Sequence, residues 1–356
     1  MAGKKKRFKI PTWLHGPVAT AVRGAMAVPV IAGFESSAQV ALVAARTYCG
    51  ARMNRKRVHR AMSHLRQAFP DWDDDRRHEV TVASYEHLFR LGVEMAFTPR
   101  CLTTDSWAGH VEVGKVDEAL GALLTNGPSI LICGHCGNWE VLGYTLSLLG
   151  FRLHALYRPL DVKPLDAWVR RTREACGLTL VDKFGAVDQL PSILSRGYPV
   201  GFVADQNAGD RGLFVPFFGR LASTYKSIGL LAMQFDAPVI CGMARRLDEA
   251  NFRYILEIQD VIWPREWKDA PDPLFYLTAR YRRAIEQAVI SAPEQYLWMH
   301  RIWKSRPRHE RLNRPFPPSL REKMRSLPWM SEEDIDRLVD RSNQDAAALA
   351  AGTLAT

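Results

Sequence analysis

Between residues 110 and 292 short apolar runs alternate with segments of helical spacing, and this alternation limits the fold more than any other feature of the sequence. The runs "HVEV", "SILIC", "RLHALYRP", "LTLVD", "PVGFVAD", "PVICGMARRL" and "FRYILEIQDVI" read as strands. The segments between and after them, from "DEALGALL" to "LFYLTARYRRAIEQAVISAP", place apolar residues three and four apart and read as helices. Gly127-Pro128 marks a turn before "SILIC", and Gly150 is a plausible helix C-cap. Strands and helices in alternation predict an α/β fold: a mixed, mostly parallel sheet flanked by helices. No repeat of fixed period is present.

Two helices are expected before the first strand. Residues 54–69, "NRKRVHRAMSHLRQAF", put Val58, Met62, Leu65 and Phe69 on one face. The stretch "PDWDDDRRHEVTVASYEHLFRLGVEMAF" begins with acidic residues that the helix dipole favours. Further upstream, Lys4, Lys5, Lys6, Arg7 and Lys9 precede an apolar stretch, residues 24–45, whose one charge is Glu35. Its length suits a bilayer span, but Pro29, Gln39 and several small residues make it weakly apolar. An interfacial helix, a single span and a soluble amphipathic helix all fit. Five cations beside such a helix would add roughly 1 kcal/mol each on anionic lipid, whereas a solvated basic tail would add nothing. The expected organisation is residues 1–50 as a basic N-terminus with a membrane-associated helix, 51–315 as the α/β domain, and 316–356 as a peripheral helix with a disordered tail.

A net charge of +10 favours polyanionic partners, whether nucleic acid, anionic lipid or an acidic carrier protein. The six cysteines are too scattered for a disulfide framework.

The stretch "LICGHCGNWE", residues 131–140, supports two chemistries. Cys133 and Cys136 could form a redox pair, but a reactive thiol belongs at an exposed helix N-terminus and Cys133 closes an apolar strand. Zinc is equally disfavoured, since no second ligand pair follows. Alternatively, His135 and Glu140 form an acid–base dyad at the C-terminal end of a strand, where open α/β sheets place ligands. Gly134 and Gly137 let the backbone bend and a substrate approach. Asn138 can cap the following helix, which would put Glu140 in its first turn, able to fold back on the imidazole.

These residues resemble the H-x4-D/E motif of the lipid A late acyltransferase family. Segments following in that family's order extend the resemblance over residues 55–310: "LYRPLDVKPLDAWVRRTREACGLTLVD", "VADQNAGDRGLFVPFFGRLASTYKSIGLLAMQFDAPVI" and "PEQYLWMHRIWKSRP". The resemblance implies a glycerol-3-phosphate acyltransferase-like fold with an N-terminal membrane-associated helical region. It further implies transfer of a fatty acyl group from an acyl carrier protein or coenzyme A thioester to a hydroxyl of a lipid A precursor. In that reading His135 is the general base, oriented by Glu140, and no acyl-enzyme forms. Arg158 serves the oxyanion or a phosphate. Asn138, Asp205, Gln206 and Lys226 face substrate, and Asn207 stands where many relatives have a second acid. No cofactor, metal or nucleic acid is implied, and the location is the cytoplasmic face of the inner membrane, with the protein peripheral, monotopic or single-pass. The same fold could instead serve a lysophospholipid, a phosphatidylinositol mannoside or an aminolipid. His300 falls in the C-terminal signature without an implied chemical role.

Overall fold

Gly33 divides the weakly apolar stretch that the sequence suggested as one helix. In the computed structural model, which describes residues 10–353, α1 (His15–Ala32) and α2 (Phe34–Gly50) meet at this glycine. Its φ of 88° and ψ of 159° lie where a side chain would be strained. Among the described residues, the apolar helix that is long enough to cross a membrane is therefore Thr12–Ala32, earlier than residues 24–45. Val28 and Ile31 on α1 are exposed, and Ala19 is its one buried residue. By contrast α2 buries Ala38, Ala41 and Ala45, small residues that permit close packing on a later helix. The basic cluster at residues 4–9 lies outside the described residues.

The two expected helices form as α3 (Arg55–Ala68) and α4 (Asp74–Cys101). Asp73 caps α4 by accepting from the Arg76 amide at 2.7 Å, and Asp74 and Asp75 occupy its first turn, where the dipole favours them. Then the alternation begins: β1 (Val111–Val113), α5 (Asp117–Leu124), β2 (Ile130–Cys133), α6 (Trp139–Leu148), β3 (His154–Tyr157), α7 (Lys163–Glu174), β4 (Thr179–Asp182), α8 (Ala186–Ser195) and β5 (Val200–Val203). A hairpin unrecognised in the sequence follows, β6 (Leu213–Phe217) with β7 (Arg220–Thr224). After it come α9 (Lys226–Phe235), β8 (Val239–Arg246), β9 (Tyr254–Ile262), α10 (Pro264–Trp267) and α11 (Pro273–Ser291).

Seven strands make one sheet in the order β1-β9-β8-β2-β5-β3-β4. Only β8 and β9 run antiparallel; the other neighbours are parallel, as the alternation predicted. Ile130 and Ile132 of β2 are buried among side chains of β5, β8 and α11, which explains why this strand is a continuous apolar run. The chain leaves β2 for β3, returns to β5 at its side, and later takes β8 on its other flank. The strand order thus reverses around β2, and the crevice at its C-terminal end is the expected ligand position.

The C-terminal region departs from expectation. Beyond α12 (Arg308–Arg311) and α13 (Pro318–Arg325), the Ala-rich segment belongs to α14 (Glu332–Ala350), opened by a capping box between Ser331 and Asp334. Ile335, Leu338 and Ala346 are buried against the hairpin and its neighbours, so this is a docked helix rather than a frayed tail. Electrostatics explains the docking. Buried Asp345 accepts from Arg220 Nε at 2.6 Å, pairing the hairpin's buried guanidinium, and from Arg306 Nη2 at 2.9 Å, beside the ion pair that Arg306 makes with Glu310. Asp345→Ala is expected to destabilise the fold by roughly 3 kcal/mol, because it strands the buried Arg220 guanidinium. A urea midpoint unchanged from wild type would refute that role.

Candidate active site

The site is built on register. In the parallel pairing of β2 with β5, Cys133 lies opposite Val203. Two residues further along each strand stand His135 and Asp205, and the side chains meet: His135 Nδ1 lies 2.6 Å from Asp205 Oδ1. Both therefore occupy the carboxyl edge of the sheet beside the reversal of strand order.

The turn after β2 holds the ring by close backbone packing. Gly137 has a φ of 63°, and a Cβ there would come within 2.3 Å of the Ala244 carbonyl oxygen. A Cβ on Gly134 would meet Ile285 at 2.9 Å and Asp205 at 3.6 Å. Each glycine thus serves a close approach of the protein's own atoms, where the sequence suggested room for a substrate. The His135 carbonyl accepts from the Leu297 amide, the Gln295 carbonyl accepts from Gly137, and the Ala244 carbonyl accepts from Asn138. Part of the "PEQYLWMHRIWKSRP" signature is consequently a clamp on the histidine turn.

Electrostatics favours an ionised Asp205. Its burial opposes charge, but the His135 imidazole and the Arg282 guanidinium hold the carboxyl well below the usual range. As an acceptor only, Asp205 fixes the proton of neutral His135 on Nδ1 and leaves a lone pair on Nε2. The His135 side chain keeps 17% of its surface exposed, and its Nε2 faces the Gln206 side chain.

Glu140 is placed differently from expectation. Its carboxylate pairs with both Nε and Nη2 of Arg173 on α7 and accepts from Trp139 Nε1 at 3.2 Å. Among the described hydrogen bonds none joins it to His135, whose Nδ1 is taken by Asp205. The reason is competition: a guanidinium offers a carboxylate a bidentate partner that one imidazole nitrogen does not. Glu140 instead reaches the imidazole through Trp139, whose indole meets His135 edge-on with centroids 4.8 Å apart.

Asn138 caps α6, accepting from the Glu140 and Val141 amides, and donates to Glu94 at 2.9 Å. With its side chain so occupied and buried, it does not face substrate, contrary to the expectation from the resemblance. Glu94 itself pairs with Arg90 and Arg246 in a fully buried group, and His87 joins it by accepting from Arg246. Arg158 follows β3, half-open to solvent and 4.0 Å from Asp161, within reach of neither dyad member among the described contacts. Lys226 is exposed in the first turn of α9. Gln206 does sit at the site, its side-chain nitrogen 3.4 Å from His135 Nε2. Asn207 is tied to Ser305 by two hydrogen bonds.

Three neighbours escaped the sequence reading: Trp139, Arg173 and His300. The His300 ring centroid is 4.8 Å from that of His135, and Nδ1 is 3.0 Å from the Gln206 nitrogen. The available signal was its position within the aromatic and basic signature. The redox alternative has no support: Cys133 and Cys136 are unbonded and buried, and burial pushes both thiols up, away from the reactive thiolate.

Against known proteins, the family model of bacterial lipid A biosynthesis acyltransferases matches residues 3–305. The chain belongs to this family. It is 25% identical over 259 residues to the lipid A biosynthesis palmitoleoyltransferase of Escherichia coli K12, covering 71% of this chain and 80% of that protein. It is similarly 24% identical over 262 residues to a lipid A biosynthesis acyltransferase of Haemophilus influenzae, covering 71% and 77%. The lauroyltransferase of E. coli K12 matches at 28% over 155 residues, 43% of this chain and 48% of that one. The protein is an acyltransferase.

Two consequences of this acyltransferase's packing can be measured. Gly137→Ala is expected to cost at least about 2 kcal/mol, since it combines a strained φ with a backbone clash, and to abolish activity; a melting curve like wild type would contradict this. Burial holds His64, His87 and His300 neutral, with pKa values lowered to about 4, about 3 and about 4 from the ordinary 6.5. Between pH 6.5 and about 4 the unfolded chain therefore binds protons that the folded chain refuses, so stability falls as pH falls. The melting temperature is expected to drop from pH 7 to pH 5 at constant ionic strength, and a flat profile would contradict the assignment.

Proposed function

We propose that this acyltransferase moves a fatty acyl group from an acyl thioester, carried by acyl carrier protein or coenzyme A, to a hydroxyl of a lipid A precursor. The observation that carries the reading is a single, partly exposed imidazole held at Nδ1 by a buried carboxylate at the carboxyl edge of the sheet, with Nε2 facing the exposed Gln206 amide. His135 Nε2 removes the hydroxyl proton as the oxygen attacks the thioester carbon. Asp205 fixes the tautomer and stabilises the imidazolium that forms. Glu140 braces Trp139 against the ring and anchors α7 through Arg173.

Two further features fit a lipid substrate. A cleft of about 660 Å³ runs between α1, α4 and α7, walled by Met26, Ala27, Val30, Met95 and Trp168. A smaller recess at its edge shares Met95, Pro99 and Thr172 with it and reaches Glu140 and Arg173. In this reading the cleft receives hydrocarbon, and Arg158 on the exposed rim meets an acceptor phosphate. The exposed apolar face of α1 rests in or crosses the inner membrane, with the catalytic edge on the cytoplasmic side.

Kinetics of single variants tests the mechanism. Relative to wild type, His135→Ala is expected to lower kcat by at least about 10³-fold, and Asp205→Asn by roughly 10²–10⁴-fold. Glu140→Gln keeps an acceptor for Trp139 and is expected to lose less than Asp205→Asn. Wild-type turnover in His135→Ala would eliminate the mechanism. Mass spectrometry of lipids from cells lacking the protein is expected to reveal lipid A short of one acyl chain. Accumulation of an under-acylated phospholipid, mannoside or aminolipid would reassign the acceptor.

A further inference from the structure

Gln206 lies exposed at the mouth of the site with its side-chain nitrogen between two imidazoles, His135 Nε2 at 3.4 Å and His300 Nδ1 at 3.0 Å. The hydrogen inventory explains why a nitrogen stands there. Because Asp205 takes the His135 Nδ1 proton, Nε2 presents a lone pair. An amide oxygen opposite it would set lone pair against lone pair, whereas an NH2 group supplies a proton. The second amide N–H then meets His300 Nδ1, which must likewise be bare. Burial keeps His300 neutral with a pKa lowered to about 4. Two amide protons with two acceptors leave the side chain one orientation.

We propose that Gln206, clamped by the positioning residue His300, makes the site select an oxygen nucleophile over a nitrogen one. This specificity rests on the acyl-transfer reading above. An acceptor's reacting atom must enter between His135 Nε2 and the Gln206 amide. A hydroxyl oxygen has one proton and two lone pairs. It donates to His135, accepts from Gln206 through one lone pair and attacks with the other. The O–C bond forms as the proton passes to Nε2; the C–S bond breaks, and the thiolate leaves with that proton as a thiol. A neutral amine has a single lone pair. If that pair accepts from Gln206 it cannot attack, and if it attacks, the amide N–H faces an amine N–H with no acceptor between them. Once acceptor and donor cover Gln206 and exclude water, a donor left unpaired in this way disfavours the wrong substrate.

The test uses the full-length protein in detergent micelles, with lauroyl-coenzyme A or lauroyl-acyl carrier protein as donor. The paired acceptors are N-(3-hydroxytetradecanoyl)glucosamine 1-phosphate and its 3-amino counterpart, with ester and amide products read by mass spectrometry. Comparing variants at one pH cancels the protonation of the free amine. Gln206→Glu replaces the donor by an acceptor for an amine N–H, and is expected to lower the ester-to-amide ratio of kcat/KM at least about tenfold. His300→Phe is expected to lower the ratio too, and His300→Asn, which restores an acceptor, to recover part of it. Should His300→Phe fail to fold, Gln206→Ala decides, since its exposed side chain is removable without loss of core. A ratio unchanged in both Gln206 variants, with wild type forming ester, overturns the inference. Wild type that forms neither product, indistinguishable from His135→Ala, overturns the acyl-transfer reading and this inference with it.

Discussion

The parallel pairing of β2 with β5 is the constraint on which the site depends. It places Cys133 opposite Val203, so the two chains emerge from the sheet in step and carry His135 and Asp205 to the same height. A one-residue slip in either strand would turn one of the side chains to the other face. The hydrogen bond of 2.6 Å between them thus follows from backbone register before any side-chain choice is made. Buried, paired and ionised, Asp205 then determines which imidazole nitrogen carries the proton, and hence which one can act as a base.

Around that pair the remaining interactions work at increasing distance. Gly134 and Gly137 let the turn pass close to Ile285, Asp205 and Ala244, while residues 295–297 bind its backbone. Asn138 couples the turn to the buried Arg90–Glu94–Arg246 group, so α4 and β8 are tied to the start of α6. Such a buried group is costly to half-dismantle, because removing one member leaves a charge without a partner. Membership of the lipid A biosynthesis acyltransferase family and a His–Asp pair at an open edge are mutually consistent. The family model spans most of the chain and includes both residues of that pair.

Glu140 shows how a motif can be recognised while its geometry is misjudged. Five positions after a histidine, at the start of a helix, a carboxylate has an imidazole and a guanidinium to choose between. Local spacing favours His135. The bidentate guanidinium of Arg173 lies 33 residues further along the chain and becomes a competitor only once α7 packs beside α6. Arg158 and Lys226, read as substrate contacts, are exposed and engage neither member of the dyad among the described contacts.

Period and turn chemistry made the alternation of elements, the mixed sheet, the acidic first turn of α4, the cap at Asn138 and the sharp turn at Gly137 legible, because each depends on residues a few positions apart. The edge location of His135 and Asp205 was legible too, since each ends an apolar run. Tertiary structure alone decided that β5 rather than β3 lies beside β2, that Asp205 rather than Glu140 holds the imidazole, and that His300 faces Gln206. It also decided that the Ala-rich C-terminus docks, through Asp345, on guanidiniums of the hairpin and of the chain after β9. Local pattern reports the free energy of neighbours in sequence. Which carboxylate meets which cation depends on what folding brings together, and buried charges take the partner with the best geometry from anywhere in the chain.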